Sequence, residues 1–156
     1  MKYLQRLLLG LFTVSILAGC ATTEVITNHN SSMIEFREAD DVMEKAYVKM
    51  PIKGSDETIF VGDKVMSSSE DIKSMESGFG PQGMPQILVT LTEDGKSKFS
   101  EATKRLVKKY IAILINGEVI MAPFVQEQLE TNRFVISGDL TIEEMDAIVS
   151  DFKPSK

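Results

Sequence analysis

The two side-chain types that most often act as nucleophile, base or metal ligand near neutral pH, cysteine and histidine, each occur once in this chain, as Cys20 and His29. Catalysis or metal binding needs such a group held rigidly beside partners that orient it. Both lie in or beside "ATTEVITNHNSS", a run of mostly short polar residues with little to bury, so His29 reads as a solvated side chain. Only carboxylates are then left for acid–base chemistry. Glu143 and Glu144 are accounted for by a helix start, and Glu118, Glu127 and Glu130 could meet only by accident of folding. The sequence therefore points away from an enzyme, with no cofactor and no metal site expected.

The cysteine has a different chemistry. Lys2 and Arg6 precede an uncharged apolar run, Leu7 to Leu17, followed by the small residues Ala18 and Gly19. This is the layout of a cleaved secretory signal over residues 1–19. The run falls short of the roughly 20 apolar residues of a membrane span. Leu17-Ala18-Gly19-Cys20 resembles the lipobox of bacterial lipoproteins. That resemblance implies an acylated Cys20 as the first mature residue, anchored in the lipid bilayer, with residues 20–32 as a tether. It also implies more than one acyl chain, since a single one holds a protein only marginally. Ala21 stands where an aspartate would signal inner-membrane retention in two-membrane bacteria, so the resemblance favours the outer membrane there.

The chain has 17 basic and 23 acidic residues, a net charge of −6, and loss of Lys2 and Arg6 would take it to −8. No basic stripe is available to neutralise phosphates, which argues against nucleic acid as a partner. One cysteine allows no internal disulfide, so stability must come from packing.

The elements that would position any site follow from patterning. "MIEFREAD" alternates apolar and charged residues and predicts a half-buried strand. "VMEKAYVKMPIKG" is ambiguous. "ETIFVGDKVM" predicts a strand around Ile59–Val61, a Gly62-Asp63 turn and a continuation through Val65. "SSSED" stacks cap and acidic residues and predicts a short helix through Ile72 and Met75. "ESGFGPQGMP" is expected to be irregular, a plain connection rather than a mobile clamp. "QILVTLT" predicts a strand, Thr92 a helix cap, and Phe99, Ala102, Leu106 and Tyr110 a buried helical stripe, with Lys96, Lys98, Lys104, Lys108 and Lys109 coating a wet face. In "YIAILINGEVIMAP" two strand-forming runs flank Asn116-Gly117, the pair best suited to a type I′ hairpin turn, and Pro123 should end or bend the second strand or place it at an edge. "RFVISG" adds a strand punctuated by Gly138. Thr141 and Glu144 form a capping box for a last helix that buries Ile142, Met145, Ile148 and Val149. The predicted fold is α+β: one small domain, a mainly antiparallel sheet with helices packed on one face.

The series from Ile87 to Val149 resembles the head subdomain of the first periplasmic domain of SecD, the membrane partner of the bacterial export channel. The residues that carry the likeness are Thr92, Gly95, Phe99, Thr103, Ala112-Ile113, Gly117, Val119-Ile120, Ala122-Pro123, Ile136, Gly138, Thr141 and Glu143-Glu144. Weaker echoes lie in "IEFREAD" and "VMSSSEDIKSM". Asn116 replaces the usual aspartate, which a type I′ turn accepts equally, and Thr131-Asn132-Arg133 lacks the usual glycine. On this likeness residues 33–83 are the N-terminal part of the domain, 84–152 the head-like core and 153–156 a tail.

The resemblance implies a non-catalytic extracytoplasmic head that contacts unfolded exported polypeptide or components of the Sec translocon. The charged membrane helices with which SecD couples proton flow to export have no counterpart in this sequence. Met121, Phe124 and Val125 are the candidate polypeptide-binding residues, near a strand edge that could pair with an extended chain. Each, taken alone, also fits an ordinary core position. The competing reading is an envelope scaffold lipoprotein that reuses the same domain outside export.

Overall fold

The computed structural model describes residues 32–154. Cys20, the leader and all of the tether but Ser32 lie outside them. The elements are β1 (Ile34–Asp40), β2 (Val48–Pro51), β3 (Thr58–Ser68), β4 (Ile72–Phe79), β5 (Pro85–Leu91), α1 (Glu93–Arg105), β6 (Tyr110–Ile115), β7 (Glu118–Met121), β8 (Arg133–Ser137) and α2 (Ile142–Asp151). The α+β class is as expected, but the strands divide between two sheets. One has the order β2-β3-β1-β6-β7 and the other β4-β5-β8, all pairs antiparallel. The first sheet draws strands from both sides of residues 83 and 84, and the β4–β5 hairpin crosses that point.

Apolar residues on alternate positions bury two cores. Ile34 and Phe36 of β1 and Ile111, Ile113 and Ile115 of β6 face β5, β8 and both helices, where Val89, Phe99, Ile136, Met145 and Ile148 complete the larger core. The opposite faces of the same strands, with Ala39, Ala112 and Leu114, close a smaller core with Ile59, Val61 and Val119. Strand β6 is thus buried on both faces, which is why it reads as a continuous apolar run. The five-stranded sheet curls until Ile52, just past β2, bridges Val119 of β7, and the Lys53 N–H donates to the Val119 carbonyl.

Several expectations are corrected. No helix passes through Ile72 and Met75: a single 3-10 turn, Ser69–Asp71, leads into β4. A register shift between Ile72 and Ser74 turns Ile72 and Met75 to the same buried side, giving a strand the three-residue spacing of a helix. "ESGFGPQGMP" is not irregular. It runs as strand to Phe79, reverses through Pro81–Gly83 with Gln82 and Gly83 at φ 64° and 75°, and resumes at Pro85. Gly62 marks no turn, since β3 is continuous through it. A Cβ there would sit 3.1 Å from the Tyr47 ring, so the glycine serves close packing. The ambiguous "VKMP" is edge strand β2. Tyr110 lies beyond α1, which ends at Arg105, and starts β6.

Ile142, expected in the buried stripe of the last helix, is 47% exposed, because it opens the first turn of α2 before the helix settles on the sheet through Met145 and Ile148; the remaining signals fold as read. Thr92 caps α1 by accepting from the Gly95 N–H, and Thr141 and Glu144 form the reciprocal capping box of α2. Asn116 and Gly117 carry φ of 52° and 84°, as a type I′ turn requires. Strand β7 ends at Met121, before Pro123.

Candidate functional site

Past Ala122 the chain folds back beside the start of β6. Ile111 donates its N–H to the Pro123 carbonyl, and Lys108 and Lys109 exchange main-chain hydrogen bonds with Val125 at 2.8 Å each. Side chains here must alternate in direction. Val125 points inward, is 5% exposed, and packs into the core while lining the inner side of the groove beneath Phe124. Phe124 points outward, 47% exposed, its ring edge-on to Tyr110 at 5.2 Å. Met121 is partly buried against the core, and its sulfur accepts the Ser137 N–H. The structure therefore separates the three sequence-nominated residues. Of the three, Phe124 is the most exposed.

Beneath Phe124 lies an apolar groove of about 290 Å³ lined by Phe99, Ile111, Pro123, Phe124, Gln126 and Leu129, among others. Its floor is rigid. Phe99 stacks on Phe134 at 5.4 Å, and Phe36 meets both rings edge-on. The outer wall is the segment after Val125, tied to α1 at two points. The Leu129 N–H donates to the Thr103 hydroxyl at 3.0 Å, and the Gln128 amide donates to the Ser100 hydroxyl at 2.8 Å. Thr103 is fully buried, and its hydroxyl donates in turn to the Ser100 carbonyl.

The inner wall is fixed from the other side. The Lys109 ammonium sits among Glu44, Glu38 and Asp40, at 2.7, 3.5 and 3.6 Å. The hydrogen bond to Glu44, with these carboxylate charges, holds the lysine above its ordinary pKa despite partial desolvation. Lys98 likewise pairs with Asp71, so neither is one of the plain solvated lysines expected of that stretch. Sequence reasoning missed Thr103 as the tie of the groove wall, because a threonine inside a helix carries no signal of a partner 26 residues away.

The carboxylates named from sequence are not assembled. Glu127 lines the groove, Glu118 pairs with Lys53, and Lys53 also pairs with Glu144 of the α2 cap. Asn116, Gly117, Ala122, Pro123, Gly138 and Thr141 shape turns, bends and caps. At Gly138 a Cβ would lie 2.8 Å from the Ile120 carbonyl, so this glycine lets β8 approach β7.

The fold and groove define a class: a small two-sheet α+β head whose exposed feature is an apolar groove on a rigid floor. Residues 41–150 match the family model described as SecDF, P1 head subdomain, and the chain belongs to that family. It is 32% identical over 78 residues to the protein translocase subunit SecDF of Thermus thermophilus, covering 50% of this chain and 11% of that one. It is also 32% identical over 83 residues to SecD of Acidaminococcus fermentans, covering 53% and 20%. SecD of Desulfurispirillum indicum is 28% identical over 116 residues, covering 74% and 21%. The chain thus matches about a tenth to a fifth of these relatives' own length. Two solved SecDF structures share the fold. One, of a membrane component that enhances protein export, has a TM-score of 0.64 at 23% identity, covering 80% of this chain and 63% of that one. The other, a super-membrane-facing form, scores 0.65 at 21%, covering 80% and 19%. Among the described residues no helix is long and apolar enough to cross a membrane.

Proposed function

We propose that this chain is a non-catalytic, extracytoplasmic member of the SecD head family. It is held to a membrane by acylated Cys20, with the outer membrane favoured where the organism has two, and works in protein export by contacting exported polypeptide or Sec translocon components. The observation that carries the reading is Phe124, displayed over an apolar groove whose floor and walls are independently fixed. Such a groove suits an extended segment with an occasional large apolar side chain. Family membership supplies the biological setting, and the relatives named above are protein translocase subunits.

An unfolded substrate has no single sequence, so contact should be sequence-tolerant. An aromatic floor with one exposed aromatic rim residue meets that requirement better than a pocket of convergent polar groups. The test is in-cell photocrosslinking with the reactive group at Phe124 and, as comparison, at Met121, with partners identified by mass spectrometry. Translocon subunits or a spread of newly exported proteins at position 124, and few at the partly buried 121, are expected. One or two fixed envelope proteins would replace this reading with that of a scaffold lipoprotein.

A further inference from the structure

We propose that the free edge of β4, from Met75 to Phe79, is a strand-addition site: an extended segment of another polypeptide pairs with it and lies between this edge and α2. The site shares no residue with the lining of the Phe124 groove and does not rest on the reading of that groove.

Strand β4 is the outer strand of the order β4-β5-β8, so one of its sides has no strand beside it among the described residues. The register decides which main-chain groups lie on that side. The Gly80 N–H donates to the Met84 carbonyl at 2.8 Å, and with Gly78 opposite Gln86 and Glu76 opposite Leu88 the even positions turn toward β5. The N–H and carbonyl groups of Met75, Ser77 and Phe79 therefore point away, over roughly 14 Å of strand. Among the described residues nothing pairs with them. The other edges are blunted, as free edges usually are. Strand β2 has four residues and ends in Pro51, and β3 beyond it is broken by two register shifts. The Lys53 N–H takes the Val119 carbonyl of β7. In β8 the Thr131 hydroxyl holds the Arg133 main chain, and the Met121 sulfur accepts the Ser137 N–H. On β4 the bulge and Lys73 stand before the open stretch, and from Ser74 to Phe79 there is no proline, no lysine and no register shift.

Helix α2 supplies the second wall. Met75, Ser77 and Phe79 turn their side chains to the α2 side of the sheet, and Glu76 and Gly78 lie on the opposite face. The Ser77 hydroxyl donates to the Asp146 carboxylate at 3.0 Å, which sets the stripe Ile142, Asp146 and Val149 toward β4. Phe79 lies further along the strand toward the turn, Ile142 lies one helical turn before Asp146, and both are open, at 58% and 47% exposure. Ser77 is exposed too, so the helix does not roof the edge. A strand laid along β4 places one alternate set of side chains against Phe79 and Ile142 and the other set on the face of Glu76. It meets a carboxylate on each side, Asp146 and Glu76, with Lys73 only at the bulged end. Main-chain pairing accepts many sequences, the carboxylates disfavour acidic ones, and apolar side chains in one alternate set suit the wall of Phe79 and Ile142. A second copy suits the edge less well, because two β4 edges joined about a two-fold axis would carry both Asp146 carboxylates to one side of the seam.

The test is fluorescence anisotropy of a labelled peptide of alternating valine and lysine, about eight residues long, against the full chain in zwitterionic nanodiscs, with empty discs as the blank. Strand addition has a signature that side-chain contact lacks. N-methylation of one alternate set of peptide residues should abolish binding and N-methylation of the other set should leave it, because only one set turns its N–H groups to β4. This comparison uses the wild-type chain and needs no variant to fold. Ser77→Pro removes an outward N–H where an edge strand accepts proline and should weaken binding by about tenfold or more, whereas Ser77→Ala, which keeps that N–H and loses only the hydroxyl, should not. A valine–glutamate peptide should bind more weakly than the lysine one. No binding, equal effects of the two methylated sets, equal binding of the glutamate peptide, or indifference to Ser77→Pro would overturn the proposal. Loss of binding on Phe124→Ala in place of Ser77→Pro would put the peptide in the groove and overturn this site while upholding that one. A dimer that Ser77→Pro dissolves, and with which the peptide does not compete, would give the edge to a second copy and overturn it as well.

Discussion

Asp71 is 4% exposed and joins three elements: its carboxylate accepts from the Ser67 hydroxyl at 3.0 Å, the Ser68 N–H at 3.2 Å and the Lys98 ammonium at 2.6 Å. Its carbonyl accepts from the Thr92 N–H at the α1 cap. Asp71→Ala removes the three side-chain bonds and leaves the Ser68 N–H unpaired. Hydrogen bonds to a charged group contribute about 1.5–3 kcal/mol each, are not additive, and the lysine head is half in water, so the expected loss is about 2–4 kcal/mol at pH 7. That corresponds to a fall of about 10 °C in Tm for a domain of this size. Burial raises the Asp71 pKa, but the bonds from Lys98, Ser68 and Ser67 outweigh it and hold the carboxyl below its usual value. The sign follows: the contribution is complete above the unfolded pKa of about 3.9 and is lost as pH falls through the lower native value. Urea unfolding followed by far-ultraviolet circular dichroism, since the chain has no tryptophan, measures this from pH 7 to pH 3. The difference between wild type and variant should stay constant from pH 7 to about pH 4 and begin to shrink between pH 4 and pH 3, with Asp71→Asn intermediate. A deficit under about 0.5 kcal/mol at pH 7, or one that does not shrink in acid, would refute the reasoning.

Four further outcomes are expected. Gly95→Ala, which helix propensity alone would favour by about 1 kcal/mol, should destabilise instead, because its Cβ would meet the Asp71 carbonyl oxygen at 2.3 Å; thermal melts decide the sign. Thr103→Val keeps the side-chain shape but strands the Leu129 N–H, at about 1–3 kcal/mol, and hydrogen exchange at residues 128–130 should speed up more than in β5. Val125→Ala should cost about 2 kcal/mol and Phe124→Ala under about 1 kcal/mol in urea titrations, the reverse of their expected effect on crosslinking. Gly117→Val should cost about 1–2 kcal/mol, read as a lowered urea midpoint, because φ is 84° there, with the groove left intact.

Features governed by neighbours in sequence were legible: the Thr92 and Thr141 caps, the Asn116-Gly117 turn and the buried run of β6. Features governed by distant contacts were not. Ile72 and Met75 imitated helical spacing because a bulge lies between them, and Gly62 looked like a turn because nothing nearby in sequence reveals the Tyr47 ring over it. The division into two sheets depends on β1 inserting between β3 and β6, a pairing across some 70 residues that periodicity cannot register. At the candidate site the sequence nominated the run from Met121 to Val125, but which residue faces outward depended on the chain resuming its pairing with β6 after Pro123. Phe124 could then be told from Val125, and the strand edge proposed for polypeptide pairing proved to be occupied at Val119 by Lys53.

The central claim is that the Phe124 groove holds polypeptide in export. Its most direct test is photocrosslinking from position 124 in cells before and after new secretory chains are cleared by blocking translation, with position 135 on the open face of β8 as the reference. The account predicts heterogeneous crosslinks at 124 that fade as chains in transit are exhausted, with little at 135. A crosslink pattern at 124 that is discrete and unchanged by clearing those chains would contradict it.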